Sequence, residues 1–221
     1  MAQEAQGSII RRASSVVLSY GTTAGFQITT AAGDDFILST HATADFNTLG
    51  IVAGMRIRVN STKNEGIVTV KAMTAASKFT IYEDFSTGHT ATNLILYAYN
   101  MMDIGEVVGW SGPNESAAVI DITNLQSTVK EKMISIRDSG EVSLDVFFTQ
   151  ESTQKQRLRS DLTNKTINYY DIVLNDSASL DSYFFFQAYP TGFSVQGAVD
   201  QAIKGSITLA ITGGVQETTR R

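Results

Sequence analysis

Ile104-Gly105-Glu106-Val107, Ser111-Gly112-Pro113, Ala117-Ala118-Val119-Ile120-Asp121-Ile122-Thr123-Asn124-Leu125 and Gly140-Glu141-Val142-Ser143-Leu144-Asp145-Val146 follow one another in the second half of this 221-residue chain. Each strand-like run is short, rich in β-branched and apolar residues, and bounded by Gly, Pro, Asn or Ser. That is the signature of strands joined by turns, not of helices. Three more strand candidates follow at Thr166–Leu174, Ser182–Val195 and Lys204–Thr212.

One helix interrupts them. Ser152 or Thr153 can cap it, and Gln154 to Leu162 contains good helix formers and no glycine. Leu158 and Leu162, four apart, would pin it to a sheet. Lys155, Arg157, Arg159 and Lys165, interleaved with Glu151 and Asp161, predict a solvated helix face. The run Tyr183-Phe184-Phe185-Phe186-Gln187-Ala188-Tyr189 places large apolar groups on both faces of a strand. Both faces must therefore be covered, by the helix within the chain or by a neighbouring subunit.

Upstream, strand signals continue at Val16–Tyr20, Phe26–Thr29, Phe36–Leu38, Ile67–Met73, Phe79–Tyr82 and Leu94–Tyr97. Met55-Arg56-Ile57-Arg58-Val59 alternates with period two, which predicts a strand with one wet face. The chain thus reads as all-β with one short helix, in three parts. Residues 1–15 form an N-terminal arm, 16–98 a small β-domain and 99–221 a second β-domain. In the arm, Ile9-Ile10 and Arg11-Arg12 point to contacts with a neighbouring subunit, against the alternative of a frayed terminus.

Composition limits the function classes. There are no cysteines, so neither a disulfide framework nor a thiolate metal site is available. No apolar run is long enough to span a membrane, and Met1 to Arg12 lack an apolar core of signal-peptide length. Net charge is −5. Residues 1–100 hold seven basic and seven acidic side chains, so the whole imbalance lies beyond them. Such a chain is not built to grip DNA phosphates, which needs clustered Lys and Arg.

Nothing reads as a catalytic site. His41 and His89 are the only histidines, and both lie in polar, turn-like stretches without carboxylates at ligand spacing. No Gly-x-Ser-x-Gly elbow is present, and Gly192-Phe193-Ser194-Val195-Gln196-Gly197 has the wrong spacing for one. Asp34-Asp35 and Glu83-Asp84 read as turn chemistry. The expectation is no enzyme, no metal and no cofactor.

The order Ile104–Val107 strand, Ser111–Pro113 turn, Asp121–Leu125, charged loop, Gly140–Leu144 strand, helix and Gly192–Gly214 finish resembles the major tail tube proteins of long-tailed, non-contractile bacteriophages. The resemblance covers about 120 residues. It implies a tail-tube-type β-sandwich or barrel at 99–221, with 16–98 as an inserted, outward-facing small β-barrel-like domain. It further implies six copies in a ring and rings stacked into a hollow virion tube, assembled in the host cytoplasm. The tube would surround a tape measure protein, begin and end on initiator and terminator proteins, and later pass double-stranded DNA without binding it. No membrane takes part.

In that family the loop between the second and third strands reaches the adjacent ring, and here it maps to Gln126–Ser139. Lys130, Glu131, Lys132, Arg137 and Asp138 would form ion pairs across rings, and Val129, Met133, Ile134 and Ile136 an apolar plug. The alternatives are a tail completion or baseplate ring protein of the same fold, or a carbohydrate-binding β-module.

Overall fold

In the computed structural model the described residues are 9–20, 26–30, 34–39, 45–47, 49–60, 66–83, 85, 89–91, 95–148, 153–177, 180–199 and 201–219. The strands of the first half are β1 (Ile9–Tyr20), β2 (Phe26–Thr29), β3 (Phe36–Ser39), β4 (Arg56–Asn60), β5 (Gly66–Ala75), β6 (Lys78–Ile81), β7 (His89–Ala91) and β8 (Ile95–Asp103). The second half holds β9 (Val107–Ser111), β10 (Ser116–Asp121), β11 (Lys132–Asp138), β12 (Glu141–Phe147), α1 (Thr153–Asn164), β13 (Asn168–Ser177), β14 (Leu180–Gln196) and β15 (Lys204–Thr219). Among the described residues the fold is all-β with one helix, as the turn-punctuated sequence predicts.

The chain forms two compact units. The first comprises residues 1–104, 169–185 and 216–221, and the second 105–168 and 186–215. The expected boundaries at 15/16 and 98/99 fall elsewhere. β1 runs uninterrupted through residue 15, and β13 with the start of β14 belongs to the first unit.

In the first unit the strands neighbour one another in the order β7-β2-β3-β6-β5-β4-β8-β1-β13. The resolved pairings are antiparallel. Ile28, Ile37, Phe46, Ile57, Val70 and Phe79 are among the core residues, and the Phe46 and Phe79 rings meet edge to face at 4.9 Å. A second cluster gathers Tyr99, Tyr183 and Phe185, with Tyr169 stacked on Phe185.

β1 is an interior strand, between β8 and β13. Ile9 to Arg12 pair with Val173 to Tyr170, and Arg11 and Arg12 also stand beside Asp103 and Met102. Strand alternation buries Ile10 and leaves Ile9 exposed.

Met55 to Val59 departs from the expected wet face. Ile57 and Val59 are buried as the period predicts, but Arg56 is fully buried too. Its Nε donates to Asp171 Oδ2 at 3.1 Å, its Nη1 donates to Thr69 Oγ1, and its guanidinium lies 3.6 Å over the Tyr183 ring. A guanidinium can be buried when carboxylate and aromatic partners replace water, so period two does not imply solvent.

The second unit orders its main strands β14-β15-β12-β9, with β10-β11 as a separate two-stranded sheet. Val142, Leu144 and Val146 on β12 alternate with more accessible neighbours, and Ile207 and Leu209 on β15 are buried likewise. Helix α1 buries the stripe Gln154, Lys155, Leu158 and Asp161. It ends where Lys165 turns left-handed (φ 54°) and the Thr166 amide donates to Asp161 O at 2.9 Å, a Schellman closure.

The aromatic run serves both units. Tyr183 and Phe185 join the first unit's second cluster, whereas Phe186 and Ala188 are buried in the second unit.

Candidate assembly surface

The second half of the segment expected as a loop is a strand, β11, which forms a ribbon with β10. β10 and β11 pair antiparallel, with Ala117 opposite Arg137, Val119 opposite Ile134, Ile120 opposite Met133 and Asp121 opposite Lys132. Ala117 and Val119 are two apart, while Arg137 and Ile134 are three apart, so β11 carries one extra residue, a bulge. Alternation then puts the Val119–Ile134 pair on one face and the Ile120–Met133 pair on the other.

Both faces are open. Ile134 is 73% exposed and Ile136 92%, and Val119, Ile120, Ile122, Leu125, Val129 and Met133 are exposed as well. Among the described residues β10 and β11 have only each other in their sheet, so no further strand pairs with either outer edge. A two-stranded ribbon with no core of its own is marginally stable in water. Exposed apolar patches of this kind, beside open strand edges, mark contact surfaces.

Polar bonds shape the ribbon while its apolar groups stay outside. At the tip, Asp121 Oδ1 accepts from the Thr123 amide at 2.9 Å and from the Thr123 hydroxyl. These two bonds hold the Asp121 carboxyl below the ordinary aspartate range. Thr123 Oγ1 accepts from the Glu131 amide at 3.0 Å, the Ile122 amide donates to Glu131 O at 3.0 Å, and Asn124 Oδ1 accepts from the Gln126 amide at 2.9 Å.

The base is fixed as firmly. Ser139 Oγ donates to Gly213 O at 2.6 Å, the Gly140 amide to Asp138 Oδ1 at 2.9 Å, and Arg137 pairs with Glu115 at 3.3 Å. Gly140 has φ +68°, and a Cβ there would lie 2.1 Å from Asn114 O. The return into β12 therefore admits only glycine.

All nine residues expected at a stacking loop lie on this ribbon and its turn. Val129, Met133, Ile134 and Ile136 are exposed apolar groups, and Lys130, Glu131, Lys132, Arg137 and Asp138 are exposed charges. Arg137 already pairs with Glu115 in its own chain. The other half of the surface, Val119, Ile120, Ile122 and Leu125, was not expected. Ala117–Leu125 is apolar at consecutive positions and so reads as a covered strand. The usable signal is the absence of any glycine or apolar spacer between it and the charged turn that follows.

The four N-terminal candidates lie elsewhere, in the first unit. Arg11 Nε donates to Asp171 Oδ1 at 2.9 Å, and its terminal nitrogen also reaches that carboxylate. Arg12 is buried, with Nη1 donating to Ala13 O at 3.0 Å. Ile10, Arg11 and Arg12 thus make their contacts here within their own chain, where both edges of β1 are paired, and Ile9 is the exposed member of the four. Met1 to Ser8, His41 and Ser152 lie outside the described residues.

Two further networks were hidden in the sequence. Glu83 accepts from the Thr69 amide at 2.6 Å, the Thr69 hydroxyl at 2.8 Å and the Tyr183 hydroxyl at 3.1 Å. Burial first, and then the Glu83 charge, push the Tyr183 hydroxyl pKa up. Lys155, expected on a solvated face, is buried and donates to Glu106 Oε2 at 3.1 Å and to the Phe147 carbonyl.

No known family profile and no curated protein matches the chain. Among solved structures it is similar to a chain in the cryo-EM structure of the anti-feeding prophage (AFP) baseplate, 6-fold symmetrised. The TM-score is 0.43 at 8% identity, covering 76% of this chain and 94% of that one.

Proposed function

We propose that this protein is a structural component of a bacteriophage tail, the major tube subunit, which assembles with itself into stacked, hexameric rings. The observation that carries this reading is the β10–β11 ribbon. It has apolar pairs on both faces, no further strand on either edge among the described residues and a rigid base, and its second strand, β11, lies within the segment that the tail-tube resemblance assigns to contact between rings. A ribbon of this kind gains its stability from the chain it meets.

Head-to-tail use of such an element is a heterologous contact, and a heterologous contact repeats without limit along an axis. Within a ring, joining sheets edge to edge would remove the open edges that β-structure otherwise leaves. The acidic excess of residues 101–221 suits a conduit that repels phosphate, so that DNA slides through it. In this reading the protein catalyses nothing and needs no cofactor. Its partners are further copies of itself, the tape measure, and the initiator and terminator proteins of the virion.

The double substitution Met133→Asp with Ile136→Asp tests it. Both side chains are exposed in the single chain, so folding is expected to survive, with an unchanged circular dichroism spectrum and melting temperature. In a pelleting assay the wild-type protein is expected in the pellet and the double variant in the supernatant. Equal pelleting of the two would remove the ribbon from the assembly mechanism.

A further inference from the structure

The second unit has another exposed apolar surface, at the end of its sheet away from the ribbon. β9 leads into the ribbon at Ser111, and β12 returns from it at Glu141. Ser111 stands beside Ser143, and Val107 beside Val146, so the opposite end of both strands lies at Val107 and Phe147. The seven residues of β12 span about 20 Å between those ends. At the far end Val108, Phe147, Val195, Val199 and Ile203 are exposed, Val199 to 91%.

A groove of about 310 Å³ opens there, lined by β9, β12, β14 and β15 residues. Gly205 shapes it, because a Cβ at that position would lie 2.8 Å from Ser194 O. Asp145 and Lys204 stand on the groove with opposite charges.

We propose that this groove is the receptor for the β10–β11 ribbon of a second copy of the chain. The proposal rests on the assembly reading above and names the surface that reading lacks. Three observations favour a second copy as the occupant. The ribbon and the groove sit at opposite ends of the same two strands, which is the geometry of a head-to-tail repeat. The groove is open, with Val108 in its lining and Phe147, Val195 and Ile203 exposed at the same end of the sheet, whereas ribbon-to-ribbon pairing would leave that surface bare and stop at a dimer. The charges also match: Lys130 and Lys132 can meet Asp145, and Glu131 can meet Lys204.

The chain contains no cysteine, so introduced pairs report this contact without background. Ile134→Cys or Ile136→Cys on the ribbon is combined with Gln196→Cys or Ser206→Cys at the groove. A disulfide forms only where Cα atoms come within about 7 Å, so the panel reads the register. At least one pair is expected to give, under mild oxidation, a covalent ladder extending past the dimer, while each single variant stays monomeric on a denaturing gel. Pelleted polymers without a ladder from any pair, or dimers from the ribbon variants alone, would overturn the receptor and leave the assembly reading standing. A wild-type protein that never self-associates would overturn both.

Asp145→Lys provides a second readout at an exposed position. It would set a like charge against Lys130 and Lys132 of the next copy and is expected to raise the concentration needed for assembly about tenfold. An unchanged threshold would count against the groove.

Discussion

Asp171 joins the elements of the first unit at a single carboxylate. It is fully buried, as is Arg56, and it accepts from Arg56 on β4 and Arg11 on β1. Removing its charge would strand Arg56 in a site without water. Asp171→Asn is therefore expected to lower stability by about 3–5 kcal/mol, the range for breaking a buried pair from one side. Denaturant unfolding followed through the tyrosines of the neighbouring cluster measures it, and a loss below about 1 kcal/mol would mean that solvent reaches the arginine. None of this was legible beforehand. Arg11, Arg56 and Asp171 are far apart in sequence, and a strand pattern tells which residues share a face, not which distant charge a fold delivers to it. Lys155 is the same case on a helix: its carboxylate partner, Glu106, lies some fifty residues upstream.

The β10–β11 ribbon is the element on which the functional account turns. Its residues were legible as a candidate contact because Val129, Met133, Ile134 and Ile136 are large apolar groups in a charged, turn-rich segment. Its form was not, since the bulge in β11 breaks the strict alternation by which a strand is recognised. The turn at its tip should respond to acid. Asp121 titrates below the ordinary aspartate range because Thr123 donates to its ionised form. A depressed folded-state pKa means that the stabilising bonds are complete above the ordinary value near 3.8 and are lost as pH falls through the lower folded value. Amide exchange at Thr123, and order in the turn, are thus expected to be constant from neutral pH down to about pH 4 and to loosen only below it. The Asp121→Asn variant, which has no carboxyl to protonate, should lack this transition. Loosening centred above pH 5 would assign the tip to another group.

At the scale of the molecule, strand content, the single helix and most strand positions in the second half follow from turn chemistry and apolar runs. Lys204–Thr212, for example, lies inside β15, and Gln154–Leu162 inside α1. The division into units was not readable in the same way. A boundary drawn between successive groups of strand signals assumes that each unit is one stretch of chain. Here the first unit includes residues 169–185 and 216–221, and the apolar run that begins at Tyr183 changes unit between Phe185 and Phe186. No local composition marks that change, because a strand apolar on both faces looks alike wherever it is covered.

We propose a tube built from copies of this chain and connected through the exposed ribbon, and negative-stain electron microscopy of the purified wild-type protein over a concentration series decides it. Stacked rings or hollow tubes that lengthen with concentration are expected. A monodisperse monomer at the highest concentration, with the ribbon intact, would contradict it.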